Sequence, residues 1–291
     1  MMKLKKILLP TDFSESAEQA LRQAVALALI AKAELHIFHA VLLHAEDPQH
    51  LQTVLKGYTE HIDQEARKIL EEKSGEIGSR SLNASISTAR GVSPFEAIME
   101  AVESIQPDLI VMGTHGRTGV GRLILGSVTE KVLRHSPTNV LTVRKDSAVI
   151  GESDDPKRFL VPIDFTDFSR RALEVADSFL SEKDSLTLVH VVASPTYPSF
   201  YAGDIANLFE VDPELPSRIK TSLEEWLGDR PGEIVVTEGD AADEILKTAK
   251  KTRAELIVMG SRGLSGADHL LMGSVTERIV RTSPVPVLSV K

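Results

Sequence analysis

The chain has 291 residues, 42% hydrophobic and 26% charged, with 42 acidic side chains against 33 basic ones and a formal net charge of -9. Its length is near twice a common domain of about 150 residues, and its composition is that of a globular protein with a core in each half, which excludes a disordered chain or one small stapled module. The acidic balance and the 4% aromatic content argue against nucleic acid as a partner, and the absence of cysteine removes disulfides, thiolate zinc sites, iron–sulfur clusters and thiol nucleophiles.

From the N-terminus, Lys3, Lys5 and Lys6 precede an apolar run, Ile7 to Leu9, that meets Pro10 and Asp12 too early for a signal peptide. The run predicts a strand over Ile7 to Pro10, followed by a helix over Ser14 to Ala31. The longest apolar stretch, Ala24 to Ala31, falls well short of the ~20 residues a membrane span needs, so no membrane partner and a cytoplasmic location are expected. Next come a strand over Leu35 to Ala40, a helix over about Leu51 to Lys73, a strand over Leu82 to Thr88 and a helix over about Pro94 to Ser104. A strand over Leu109 to Met112, a helix over Val128 to His135 and a strand over Val140 to Val143 complete the first half. After a polar segment the order repeats, with strands at Phe159 to Pro162, Leu186 to Val191, Ile234 to Thr237, Leu256 to Met259 and Val285 to Val290.

The repetition is visible in the residues themselves. Leu109 to Val143 aligns without a gap on Leu256 to Val290, and 19 of the 35 positions are identical. Lys6 to Phe13 likewise matches Arg158 to Phe165. These matches divide the chain into residues 1–145, a linker over 146–156 and residues 157–291. Short apolar strands alternating with helical segments build βαβ units, so each copy is expected to be an open α/β sandwich with a parallel sheet.

In such sheets a ligand sits outside the carboxyl ends of the strands, where strand order reverses. The loop after the first strand, the end of the second strand and the loop after the fourth should converge there. The fourth-strand loop carries Gly113, Gly116 and Gly126-Ser127, repeated at identical spacing as Gly260, Gly263 and Gly273-Ser274. Glycine lets backbone N–H groups approach a ligand, and the helix that follows contributes unpaired amides and a partial positive charge, the elements of a phosphate cradle. Ser127, Ser274, Thr129 and Thr276 bring hydroxyls to the same mouth. The competing reading is structural: Ser127-x-x-Glu130 and Ser274-x-x-Glu277 have capping-box spacing, as does Asp12-x-x-Glu15. Walker A fails because Arg122-Leu123 stands in place of Lys-Ser/Thr, and no dinucleotide fingerprint follows the first strand.

Together, Pro-x-Asp after the first strand, His39-Ala40-Val41 or His190-Val191-Val192 closing the second, Gly-x2-Gly-x9-Gly-Ser and a terminal Pro-x-x-Val-Leu strand resemble the universal stress protein family, here in tandem. The resemblance covers nearly the whole chain outside the linker. It implies the adenine nucleotide alpha hydrolase-like architecture, a five-stranded parallel sheet per copy in order 3-2-1-4-5, with ATP, ADP or AMP as ligand and Mg2+ as a candidate companion. Carried over, Asp12 and Asp164 contact adenosine and the backbone at Ala40 and Val191 meets adenine. Gly113, Gly116, Gly126, Ser127, Val128 and Thr129, with Gly260, Gly263, Gly273, Ser274, Val275 and Thr276, surround the phosphates. Arg117 and Arg122 favour a triphosphate in copy one, whereas Leu264, Asp268 and His269 weaken copy two, with Arg262 in place of His115 as a candidate compensation. The implied role is regulation or stress survival with at most slow ATP hydrolysis. The alternatives are an adenylate-transferring enzyme and a module that binds protein partners without nucleotide. Zinc is a minor reading, because His36 and His39 leave opposite faces of one strand and His44, His50 and His61 have no defined geometry. The last strands are expected to pair the copies within one chain, leaving homodimerisation and any protein partner open.

Overall fold

A computed structural model describes residues 4–42, 82–115, 125–151, 155–193, 214–263 and 272–291, with isolated positions 64, 67, 68, 71 and 72. The first half runs β1 (Lys6–Pro10), α1 (Glu15–Ala31), β2 (Glu34–Leu42), β3 (Ala84–Gly91), α2 (Pro94–Ile105), β4 (Leu109–Gly113), α3 (Ser127–His135) and β5 (Asn139–Val143). The second runs β6 (Arg158–Pro162), α4 (Asp167–Ser178), β7 (Ser185–Ala193), α5 (Leu215–Leu227), β8 (Gly232–Gly239), α6 (Ala241–Thr252), β9 (Leu256–Gly260), α7 (Ser274–Thr282) and β10 (Val287–Val290). The helix expected over Leu51 to Lys73 lies mostly outside the described residues.

Apolar side chains point to both faces of the central strands, so both faces must be covered. Ile7 and Leu9 join Ala20, Ala24 and Ala28 of α1 in one core, while Leu8 and Ile110 join Ala97 of α2 and Val132 of α3 in the other. The second half repeats the division, with α4 and α5 on the α1 face and α6 and α7 opposite.

The strand order is β3-β2-β1-β4-β5-β10-β9-β6-β7-β8, so each half carries the expected 3-2-1-4-5 order. The halves form one ten-stranded sheet because β5 pairs antiparallel with β10, Val140 opposite Ser289, Leu141 opposite Leu288 and Thr142 opposite Val287. Every other recorded pairing is parallel. β10 begins two residues later than expected: Ser283 Oγ and the Val285 backbone bond each other, and Pro286 has no N–H to donate. Above the seam, Arg134 contacts both Glu130 and Glu277, and Arg281 contacts the same two carboxylates, at 2.8–3.3 Å.

The polar segment after β5 is partly packed. Ser147 and Ile150 are buried; Gln19 donates to the Ser147 carbonyl and Gln23 Oε1 accepts from Ile150 N–H. Where the segment enters the second half, the fully buried Asp184 carboxylate accepts from Lys157 N–H and Nζ and from Ser181 N–H and Oγ, each at 2.7 Å. Burial alone raises the Asp184 pKa, but these donors outweigh it and hold the carboxyl far below the usual range. The resulting stability is present above the unfolded-chain value of about 3.9 and is lost as pH falls below it toward the folded value. Asp184→Ala strands the Lys157 ammonium and should cost about 3–5 kcal/mol in denaturant titration at pH 7, the gap to wild type narrowing in acid.

Candidate functional site

β1 lies between β2 and β4 in the sheet, and β6 between β7 and β9, so each half has its switch point where three loops converge. The first loop takes the same form twice. Asp12 Oδ1 accepts from Ser14 N–H at 3.1 Å, and Asp164 Oδ1 accepts from Thr166 N–H at 3.1 Å and Thr166 Oγ1 at 2.6 Å. Ser14 and Thr166 are the helix caps, accepting from Ala17 and Ser169 N–H at 3.3 Å. The box-like spacing from Asp12 is therefore not a capping box, since the cap falls two residues later.

Between the aspartate and the cap, Phe13 and Phe165 have φ of 63° and 62°, a left-handed conformation unusual for an aromatic residue and costing roughly 1–3 kcal/mol. Their rings rest on histidines, Phe13 with its centroid 4.6 Å from His39 and Phe165 5.1 Å from His190. In turn His39 Nδ1 donates to the Thr11 carbonyl and His190 Nδ1 to the Ile163 carbonyl, both at 2.7 Å. In copy two the stack continues: Trp226 meets Phe165 edge-on at 5.5 Å, and the Arg170 guanidinium lies 4.3 Å from the Trp226 centroid. Sequence reasoning missed this aromatic wall, although the shared Pro-x-Asp-Phe was its visible signal.

At the end of the second strand, Thr11 N–H donates to the Phe38 carbonyl and Ile163 N–H to the Val189 carbonyl, each at 2.8 Å. Strand alternation then gives Ala40 and Val191, two residues on, N–H and C=O groups on the β1 or β6 side, beyond the last residues of those strands, Pro10 and Pro162.

The glycines separate into two kinds. A Cβ on Gly113 would stand 2.7–2.9 Å from Ser16 backbone atoms, and one on Gly260 would stand 2.7 Å from Phe168 Cβ, so the first glycine of each loop admits the first turn of α1 or α4. Gly273 differs: its φ of -61° and ψ of 141° suit any residue, and the nearest atoms to an added Cβ are 3.6 Å away. A Cβ on Gly263 would come 2.8 Å from Asp164 Oδ2, which brings the first and third loops of copy two into contact. In copy one the loops meet where Ser14 Oγ donates to the His115 carbonyl at 3.4 Å.

The capping-box reading of Ser127 and Ser274 does not hold. Gly126 and Gly273 are the N-caps, with no side-chain cap, and their carbonyls accept from Glu130 and Glu277 N–H at 2.9 Å. Both serines are first helical residues and exposed, which puts Glu130 and Glu277 one residue past the position from which a capping glutamate reaches back, and their carboxylates meet the arginines across the seam. The next two residues are anchored. Val128 and Val275 pack on the core, and the buried Thr129 and Thr276 hydroxyls donate to the Gly113 and Gly260 carbonyls at 2.8 and 2.9 Å. Their backbone amides lie in the first turn, among the N–H groups that have no partner within the helix.

Gly116, Arg117 and Arg122, with Leu264, Asp268 and His269, lie outside the described residues. The Arg262 guanidinium lies 5.5 Å from the Phe168 centroid, and its charge adds to burial in lowering the Lys291 pKa to about 8, so it stands on the α4 side of its loop. His36 is bracketed by Ser85 and Ser87 Oγ at 2.8 and 2.7 Å, and burial, then the Lys6 charge, lowers its pKa. Among the described residues, no group of three or more His, Asp or Glu gathers as metal ligands, and no helix is long and apolar enough to cross a membrane.

A doubly wound α/β sheet with an uncapped helix start at each of two switch points sets the class of fold. Comparison with known proteins narrows the class. The model of the universal stress protein family matches residues 3–144 and again 156–291, and the chain belongs to that family, as a tandem member. It is 27% identical to a universal stress protein of Mycolicibacterium smegmatis over 98% of this chain and 96% of that one. It is 33% identical to universal stress protein MJ0531 of Methanocaldococcus jannaschii over 46% of this chain and 82% of that one. A universal stress protein structure from Archaeoglobus fulgidus shares the fold, with a TM-score of 0.71, 24% identity and coverage of 100% and 99%.

The two kinds of glycine should respond differently to alanine. Gly113→Ala forces α1 off β4 and should cost about 1–3 kcal/mol, while Gly273→Ala exchanges one uncapped residue for another and should cost at most about 1 kcal/mol, both read from thermal or denaturant unfolding.

Proposed function

We propose that each half binds an adenine nucleotide, with ATP as the principal ligand and ADP or AMP as shorter ones, in a regulatory or stress-survival role. The observation that carries the reading is the start of α7: Gly273 has no steric or conformational reason to be glycine, and it leads into three amides and an exposed Ser274 hydroxyl with no side-chain cap. Helix-start amides with no Cβ over them suit phosphate oxygens. α3 has the same form through Gly126 and Ser127. The polar edges at Ala40 and Val191, with no backbone partner on β1 or β6 among the described residues, suit a base, and Asp12 and Asp164, between edge and cradle, suit a ribose. Mg2+, where it accompanies ATP, would lean on phosphate oxygens and need few protein ligands.

Binding, with at most slow hydrolysis, is the activity assigned, because the aspartates at the mouths already accept from amides two residues on. Copy one is assigned the tighter ATP site, since Arg117 and Arg122 can offset triphosphate charge where copy two has Leu264 and His269 with the added Asp268.

Calorimetric titration with ATP tests the reading, and Trp226, the single tryptophan, separates the sites because it stacks on Phe165 beside Asp164. Two unequal binding events are expected, the weaker one accompanied by a change in tryptophan emission. Gly273→Ala should weaken that event at least tenfold and leave the other intact. A folded chain that takes up no adenine nucleotide in either half overturns the proposal.

A further inference from the structure

The β1–β2 ladder stops one rung short of its natural end, at the same place in both halves. In a parallel pair a residue donates its N–H to the carbonyl before its partner and accepts at its own carbonyl from the N–H after it. Thr11 N–H to the Phe38 carbonyl is the second half of the rung centred on Phe38 and Pro10. The next rung would join Ala40 N–H to the Thr11 carbonyl. That carbonyl accepts instead from His39 Nδ1 at 2.7 Å, and no backbone bond from Ala40 to Thr11 is made among the described residues. The second half repeats this, with the Ile163 carbonyl taken by His190 Nδ1 at 2.7 Å in place of Val191 N–H.

We propose that His39 and His190 are positioning residues that keep the strand-end N–H of Ala40 and Val191 open for a ligand by occupying the carbonyl that would otherwise close it. A carbonyl oxygen only accepts, so Nδ1 carries the proton in each histidine and the tautomer is fixed by the contact. The Phe13 and Phe165 rings hold the imidazoles from the loop side, and the left-handed backbone at these residues carries the chain away from the ladder. Two different residues, Thr11 and Ile163, present the accepting carbonyl, so the device uses only main chain and imidazole and is indifferent to the side chain there. The ligand class is a planar heterocycle with an acceptor for the freed N–H and a donor for the neighbouring C=O.

The inference rests on the nucleotide reading for its purpose, but not for its first measurement. In the full-length, nucleotide-free chain, amide hydrogen exchange at Ala40 should be fast in wild type and slower by about tenfold in His39→Ala, where the rung to Thr11 can close. His39→Asn places an amide N–H near the Nδ1 position and should keep exchange fast. His190→Ala and His190→Asn should do the same at Val191, each half serving as the folding control for the other. Titration with ATP should then show about tenfold weaker binding in the altered half for the alanine variants and near-normal binding for the asparagine variants. Unchanged exchange at both amides in the alanine variants, with the chain folded, overturns the proposal. If wild type binds no nucleotide yet the exchange contrast appears, the ladder device stands and the nucleotide reading falls.

Discussion

The antiparallel contact between β5 and β10 is the constraint from which the rest of the arrangement follows. Val140, Leu141 and Val143 are fully buried, so β5 alone would leave a flat apolar edge exposed to any other strand. Pairing it with β10 satisfies both edges and turns two five-stranded units into one sheet with outer edges at β3 and β8. Because this pair is antiparallel while the remaining pairs are parallel, the carboxyl ends of the two halves point in opposite directions. The two switch points therefore lie at opposite ends of the strands, one in each half.

The helices above the seam reinforce it. With Gly126 and Gly273 as caps, Glu130 and Glu277 are the fourth helical residues, one past the position from which a capping glutamate reaches back, and each is engaged by an arginine of the other half. These partly exposed pairs add modest stability. Anchoring is completed by the Thr129 and Thr276 hydroxyls, which fix each helix to the end of its strand.

Much of this was legible in the sequence, because apolar runs and an ungapped repeat depend on neighbours along the chain. Ile7 to Leu9 reads as a strand covered on both faces, and the strand order of each half followed from the family resemblance. What escaped depends on the folded geometry. Ser127-x-x-Glu130 has the spacing of a capping box, and only the first turn closing on the Gly126 carbonyl shows that the cap falls one residue earlier. Phe13 contradicts its own backbone preference and is held there by His39, on another strand. The steric role of Gly113 is likewise invisible until Ser16 lies against it, whereas the repeated glycine spacing that marks the mouths was plain from the residues alone.

Covalent joining also changes what the seam can become. In an assembly of identical subunits, one substitution at such a contact is felt twice, once on each side of the axis. Here Thr142 and Ser289 hold equivalent positions, yet the Thr142 hydroxyl donates to the Val287 carbonyl at 3.2 Å while Ser289 Oγ is buried with no partner among the described residues. The halves have already drifted apart at the place where a true dimer would be compelled to match, and inheritance can go on altering one half without disturbing its twin.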